Sequence, residues 1–218
     1  MIVLTTSIFM ERPVENLDWV IGVLVGTMLV LVVGKALFSI NFYALGNLER
    51  FLEINDNQQI FALLNQVLFA VLLGALTVPY LTRDYDYVFY SPLSKTMAVA
   101  AIMLLFFWGK SLVSGLSAFA FKIAYNNSLN QKVSTYYRFY SVAVLWVSVL
   151  LFYFTGLPRF WVFLVCIVVL LLLRAIQFVY RMKNQQEELR QNWYYNILYL
   201  CALEILPLLV LYKFLTIW

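Results

Sequence analysis

Apolar residues run almost unbroken through six stretches of this chain, and polar residues collect in the intervals between them. The first stretch covers 19–38, with Trp19 as an interfacial anchor and Lys35 near its far end. A lysine there can lift its amine to the headgroups. The second covers 60–81, with Pro79 close to its exit. The third, 93–121, is longer than one perpendicular crossing needs, so it either tilts or extends into water. The fourth, 139–155, stops at Gly156 and Pro158, and a very short turn leads to the fifth, 160–180, which makes the two a tight antiparallel hairpin. The sixth covers 194–215. A helix crosses the hydrocarbon core with about 20 apolar residues. The pattern therefore predicts an all-α fold, a polytopic transmembrane helical bundle of about six spans forming one domain over 1–218.

The intervals carry their own signals. In 41–59, Phe42, Leu45, Leu48 and Phe51 or Leu52 recur at helical spacing against Asn47, Glu49, Arg50 and Glu53. That spacing predicts an interfacial amphipathic helix on the membrane surface, or a helix that docks a partner. The loop at 82–92 is rich in tyrosine and acid (Arg83, Asp84, Tyr85, Asp86, Tyr87, Tyr90), which suits a membrane interface and also a binding surface. A polar stretch at 122–138 precedes the fourth span. Residues 181–191 are polar and helix-forming and prolong the fifth helix beyond the bilayer.

Composition agrees: 64% of residues are hydrophobic, 12% are charged, and the mean hydropathy is +0.85. A soluble domain has about 25% charged residues. The net charge of +4 is read as topology signal and contact with anionic lipid rather than as affinity for nucleic acid. With six spans, Arg12, Arg83, Lys95, Arg159 and Lys213 share the side of the termini. Lys35, Arg50, Lys122, Lys132, Arg138, Arg174, Arg181, Lys183 and Arg190 lie opposite. The positive-inside rule puts the second set in the cytoplasm and both termini outside. Residues 1–10 are apolar but lack a basic region and a small-residue cleavage site, so they are not read as a removed signal peptide.

Catalytic chemistry finds little footing. There is no histidine, and Cys166 and Cys201 sit inside apolar runs as buried thiols. No GxSxG, Walker, HExxH or CxxC motif is present. Asp84-Tyr85-Asp86 has the form of a metal-binding DxD pair, but the topology puts it outside, away from nucleotide-sugar donors. The expectation is a non-enzymatic protein with no catalytic residue, no metal and no cofactor. Its partners are the lipid bilayer and other membrane subunits or further copies of itself, not nucleic acid.

Two ionisable residues resist explanation by snorkelling. Glu204 lies near the middle of the sixth span, and Pro207 removes the helical donor for the Leu203 carbonyl beside it. Lys110 lies well inside the third stretch. Around it, Ser111 with Gly115 and Ser114 with Ala118 make small-xxx-small pairs, while Lys110, Ser114 and Ser117 share one polar stripe. Counted from the same face, both charges lie on the order of 12–18 Å deep. A Lys110–Glu204 pair is thus geometrically possible. It reads as a device fixing helix register, as a proton- or ion-coupling site, or as a site for a partner's helix.

Two segments carry a family resemblance. One is Asn16-Leu17-Asp18-Trp19 opening a run that closes on Lys35-Ala36-Leu37-Phe38, followed by Asn41-Phe42-Tyr43. The other is Leu203-Glu204-Ile205-Leu206-Pro207 within the last helix, with Lys213 beyond it. Together they resemble an uncharacterised family of integral membrane proteins, a domain of unknown function widespread in Bacteroidota. The resemblance spans almost the whole chain and implies a multi-pass protein of a bacterial inner membrane with periplasmic termini. The expected role is a subunit or accessory protein of a larger cell-envelope complex, with secretion or gliding machinery suggested by association. The alternative is a small transporter or proton-coupled protein using Glu204 as its protonatable group, although no internal repeat of the transporter kind is visible.

Overall fold

A computed structural model describes residues 17–54, 57–80, 91–120 and 127–184, with the backbone path alone at 110, 113–120, 127–130 and 181–184. Apart from short turns, the described residues are helical: α1 (Asp18–Leu37), α2 (Ser39–Ala44), α3 (Leu48–Glu53), α4 (Gln58–Thr77) with a 3₁₀ turn at Val78–Tyr80, α5 (Pro92–Ala120), α6 (Asn127–Phe154) and α7 (Arg159–Asn184). Five of these helices are long and apolar enough to cross a membrane. The sixth expected span, 194–215, lies outside the described residues.

Local chemistry sets the helix ends. Asp18 stands in the first turn of α1 and Lys35 in its last, each facing the favourable pole of the helix dipole. Ser91 and Ser94 exchange hydrogen bonds between backbone N–H and side-chain oxygen (3.2 and 3.3 Å), a reciprocal cap, and Pro92 takes the first helical position. Asn57 precedes α4 in the left-handed region (φ 49°), which asparagine tolerates better than most residues.

The helix bounds differ from the sequence expectation at two places. The segment 41–59 is not one surface helix. Asn47 is extended and its side chain accepts from the Glu49 N–H (3.0 Å), so it ends one short helix and caps the next. Residues 127–138, expected to be a polar interval, are the first three turns of α6, because polar side chains at an interface do not oppose helix formation.

Helix α4 is the axis, with 56% of its apolar window buried, against 28% for α1, 11% for α5 and 17% for α7. It packs on α1, α5 and α6, while α7 lies on the far side of α6. Contacts between Gln66 and Arg138 and between Ala75 and Tyr153 advance together, so α4 and α6 run parallel. Trp19 meets Tyr153 while Leu24 meets Trp146, so α1 runs antiparallel to α6. One core of Val20, Leu24, Leu72, Leu76, Leu145, Val149 and Phe152 fills the α1–α4–α6 seam. A second core sits at the opposite end from Trp19, where Phe51 and Phe61 are fully buried among Phe38, Phe42, Tyr136 and Phe139. Thus α3 is folded into the bundle by its own phenylalanine. Apolar outer faces fit this fold, because lipid tails do not penalise them and helix association rests on packing and polar contacts.

Candidate functional site

The polar side chains of the described residues collect along α6, and their reach explains the bundle. Helices leave their last carbonyls without intrahelical donors, and a hydrocarbon environment supplies none. Tyr140 donates its hydroxyl to the Leu45 carbonyl (2.7 Å), at the end of α2. Lys132 donates Nζ to the Leu52 carbonyl (2.7 Å), in the last turn of α3, where a cation also meets the negative pole of the helix. Tyr153 donates to the Ala75 carbonyl (2.8 Å). The ordinary helical partner of that carbonyl would be residue 79, which is Pro79 and has no N–H. Three side chains of one helix thus finish the C-terminal ends of three others. Trp146 adds a longer contact from Nε1 to the Leu24 carbonyl (3.4 Å). Gln58, at the start of α4, donates Nε2 to the Phe51 carbonyl (3.3 Å) and to the Ile54 carbonyl.

Beneath the short helices lies a polar layer. Arg138 of α6 is half-buried, donates Nη1 to Gln66 Oε1 of α4 (3.4 Å), and stacks its guanidinium over the Phe107 ring of α5 at 5.2 Å. A cation–π contact of this kind contributes about 0.5–2 kcal/mol. Asn65, next to Gln66, is wholly buried. Its Nδ2 donates to the Phe61 carbonyl (2.9 Å), and its Oδ1 accepts no hydrogen bond among the described residues. Such a layer offers hydrogen bonds and positive charge. Among the described residues no group of three or more His, Cys, Asp or Glu is placed to hold a metal.

The sequence-derived candidates fall largely elsewhere. Glu204 and Pro207 lie outside the described residues, and so does any Lys110–Glu204 pair. The backbone of Lys110 is in α5, eighteen residues from Pro92. Ser111 is exposed, and Ser114, Gly115, Ser117 and Ala118 continue the same helix with only their backbone described. Asn65, Gln66 and Arg138 were not singled out from the sequence. The signal for the first two was two adjacent amides within an apolar run. Arg138 was counted with a polar interval because the run of bulky apolar residues begins only after it.

The family model described as "Domain of unknown function (DUF4271)" matches residues 20–215. No curated protein and no solved structure matches the chain.

Proposed function

The chain belongs to the family of that domain of unknown function, and from this premise we propose that it is a non-enzymatic membrane subunit or accessory protein of a larger envelope complex in a bacterial inner membrane. One observation supports the reading above others. Three polar side chains of α6, Lys132, Tyr140 and the buried Tyr153, are engaged with backbone carbonyls of neighbouring helices. Side chains so engaged hold a scaffold together and are poorly placed to titrate or attack. The lightly covered outer helices α1, α5 and α7 leave apolar surface for lipid and for the helices of other subunits.

Orientation follows from charge. Among the described residues, the end carrying α2 and α3 holds eight bases (Lys35, Arg50, Lys110, Lys132, Arg138, Arg174, Arg181, Lys183) and two acids (Glu49, Glu53). The other end holds Lys95, Arg159 and Asp18. The positive-inside rule puts the short helices in the cytoplasm and the start of α1 in the periplasm.

Purification in mild detergent, with crosslinking beforehand, tests the subunit reading. A partner recovered in stoichiometric amount supports it. A monomer that stays folded as Glu204→Gln but loses its function in the host overturns it in favour of a proton-coupled protein. The cycle of Glu204→Gln with Lys110→Met supplies the structural control. Restored folding in the double variant marks a register-fixing pair instead.

A further inference from the structure

Among the described residues, three sides of α6 are covered by other helices and the fourth is open. Successive side chains of a helix turn by about 100°. Arg138 faces α4 and α5, where it meets Gln66 and Phe107. Trp146 and Tyr153 stand about 60–80° to one side of it and reach Leu24 and Trp19 of α1. Ser148 stands about 80° to the other side and meets the Cys166 thiol of α7. Opposite Arg138, within about 60° of one another, lie Tyr140, Ala143, Val147 and Phe154, all exposed. They floor an apolar channel with α1 as one wall and α7 as the other. On α7, Val165 and Ile176 are exposed, about 200–220° round the helix from Phe163, which packs on Tyr80 at the end of α4.

We propose that this channel is the seat of the chain's own last apolar run, 194–215. The first argument is reach. Tyr136 near the start of α6 packs on Phe51 of α3, and α7 turns back along α6, so α7 ends at the short-helix end of the bundle. From there 185–193 supply nine residues, about 30 Å when extended, against an interhelical distance of about 8–10 Å. The second is direction. A run entering at that end crosses parallel to α6 and antiparallel to both walls. The third is contact. Helix association in lipid rests on packing, and in the channel the run touches three helices, whereas on the outer face of α7 it touches one. The seam between α7 and α4 is closed by Tyr80, whose ring lies 4.7 Å from that of Phe163. The seat also decides where Glu204 goes. Helix α5 meets α6 on the Arg138 side, opposite the channel. The run and α5 are then about two interhelical distances apart, 16–20 Å, with α6 between them, and Glu204 does not pair with Lys110 of the same chain.

The test is disulfide trapping through Cys201, which belongs to the run. Tyr195 marks the entry of the run at the interface, and Tyr137 stands near the same end of α6. Parallel helices therefore bring Cys201, six residues beyond Tyr195, to the level of Ala143, six beyond Tyr137. The full chain carries Cys166→Ala, is reconstituted in phosphatidylcholine vesicles and is oxidised with copper–phenanthroline. The thiol introduced by Ala143→Cys, or by Val147→Cys one turn further, should join Cys201 within one chain. The product is a faster-migrating monomer that reductant reverses. Leu105→Cys, on the exposed face of α5, should give no such link. A link through Leu105→Cys, or no link at either α6 position, would overturn the proposal. So would a covalent dimer through Ala143→Cys, which puts a second copy in the channel, and so would restored folding of Glu204→Gln by Lys110→Met. The subunit reading is tested separately, by whether a partner co-purifies.

Discussion

Tyr153→Phe is expected to destabilise the protein by more than the loss of one hydroxyl ordinarily would, and Pro79 is the reason. Tyr153 is buried (3% exposed), Ala75 is wholly so, and the hydroxyl lies 2.8 Å from the Ala75 carbonyl. With proline at position 79 that carbonyl has no helical donor, so phenylalanine would leave a buried acceptor unsatisfied. A typical hydrogen bond contributes about 0.5–1.5 kcal/mol, but an orphaned buried polar group costs about 1–3 kcal/mol. The ring itself is retained, and with it the edge contact to Trp19 at 5.5 Å, so packing changes little. Pro79→Ala restores an N–H at the position that can serve Ala75 from within the helix. In that background Tyr153→Phe should cost only about 0.5 kcal/mol, because the carbonyl keeps a partner. Unfolding of the four proteins by denaturant in detergent, analysed as a double-mutant cycle, measures the difference. A coupling of about 1 kcal/mol or more is expected. Equal costs of Tyr153→Phe in both backgrounds would refute the idea that tyrosine substitutes for the missing proline donor.

Other substitutions read the same packing. A Cβ added at Gly74 would lie 2.8 Å from the Thr96 backbone oxygen, so Gly74→Ala should separate α4 from α5 and cost about 1–3 kcal/mol. Gly22→Ala on α1, where a Cβ meets nothing within 4 Å, should instead be neutral or stabilising by up to about 1 kcal/mol, and thermal unfolding of the pair distinguishes them. Asn65→Leu replaces a buried amide with an unsatisfied oxygen by an apolar group of similar size, and a raised thermal midpoint is the expected result. Lys132→Met should release α3 from α6 while the spans persist. Amide hydrogen exchange would then rise in 48–54 and stay low in the core of α4.

The sequence by itself determined the class of this protein and most of its helices. Long apolar runs in water have no stable alternative to burial in lipid or protein, and a backbone in lipid must satisfy itself as helix. Periodicity also carried the amphipathic character of 41–59, since Phe51 and Glu49 stand on opposite sides of any helix drawn there. What it could not carry was the partner of each side chain. Whether Phe51 meets lipid or Phe61 depends on α4 and α6 arriving at the same place, and so does the break at Asn47. The Leu203 carbonyl beside Pro207 was legible as a freed acceptor, and Pro79 could have been read in the same way for Ala75. Its donor, however, is 78 residues away along the chain. Composition and periodicity are local sums along one chain, whereas depth and hydrogen-bond partnership are relations between helices that only their packing creates.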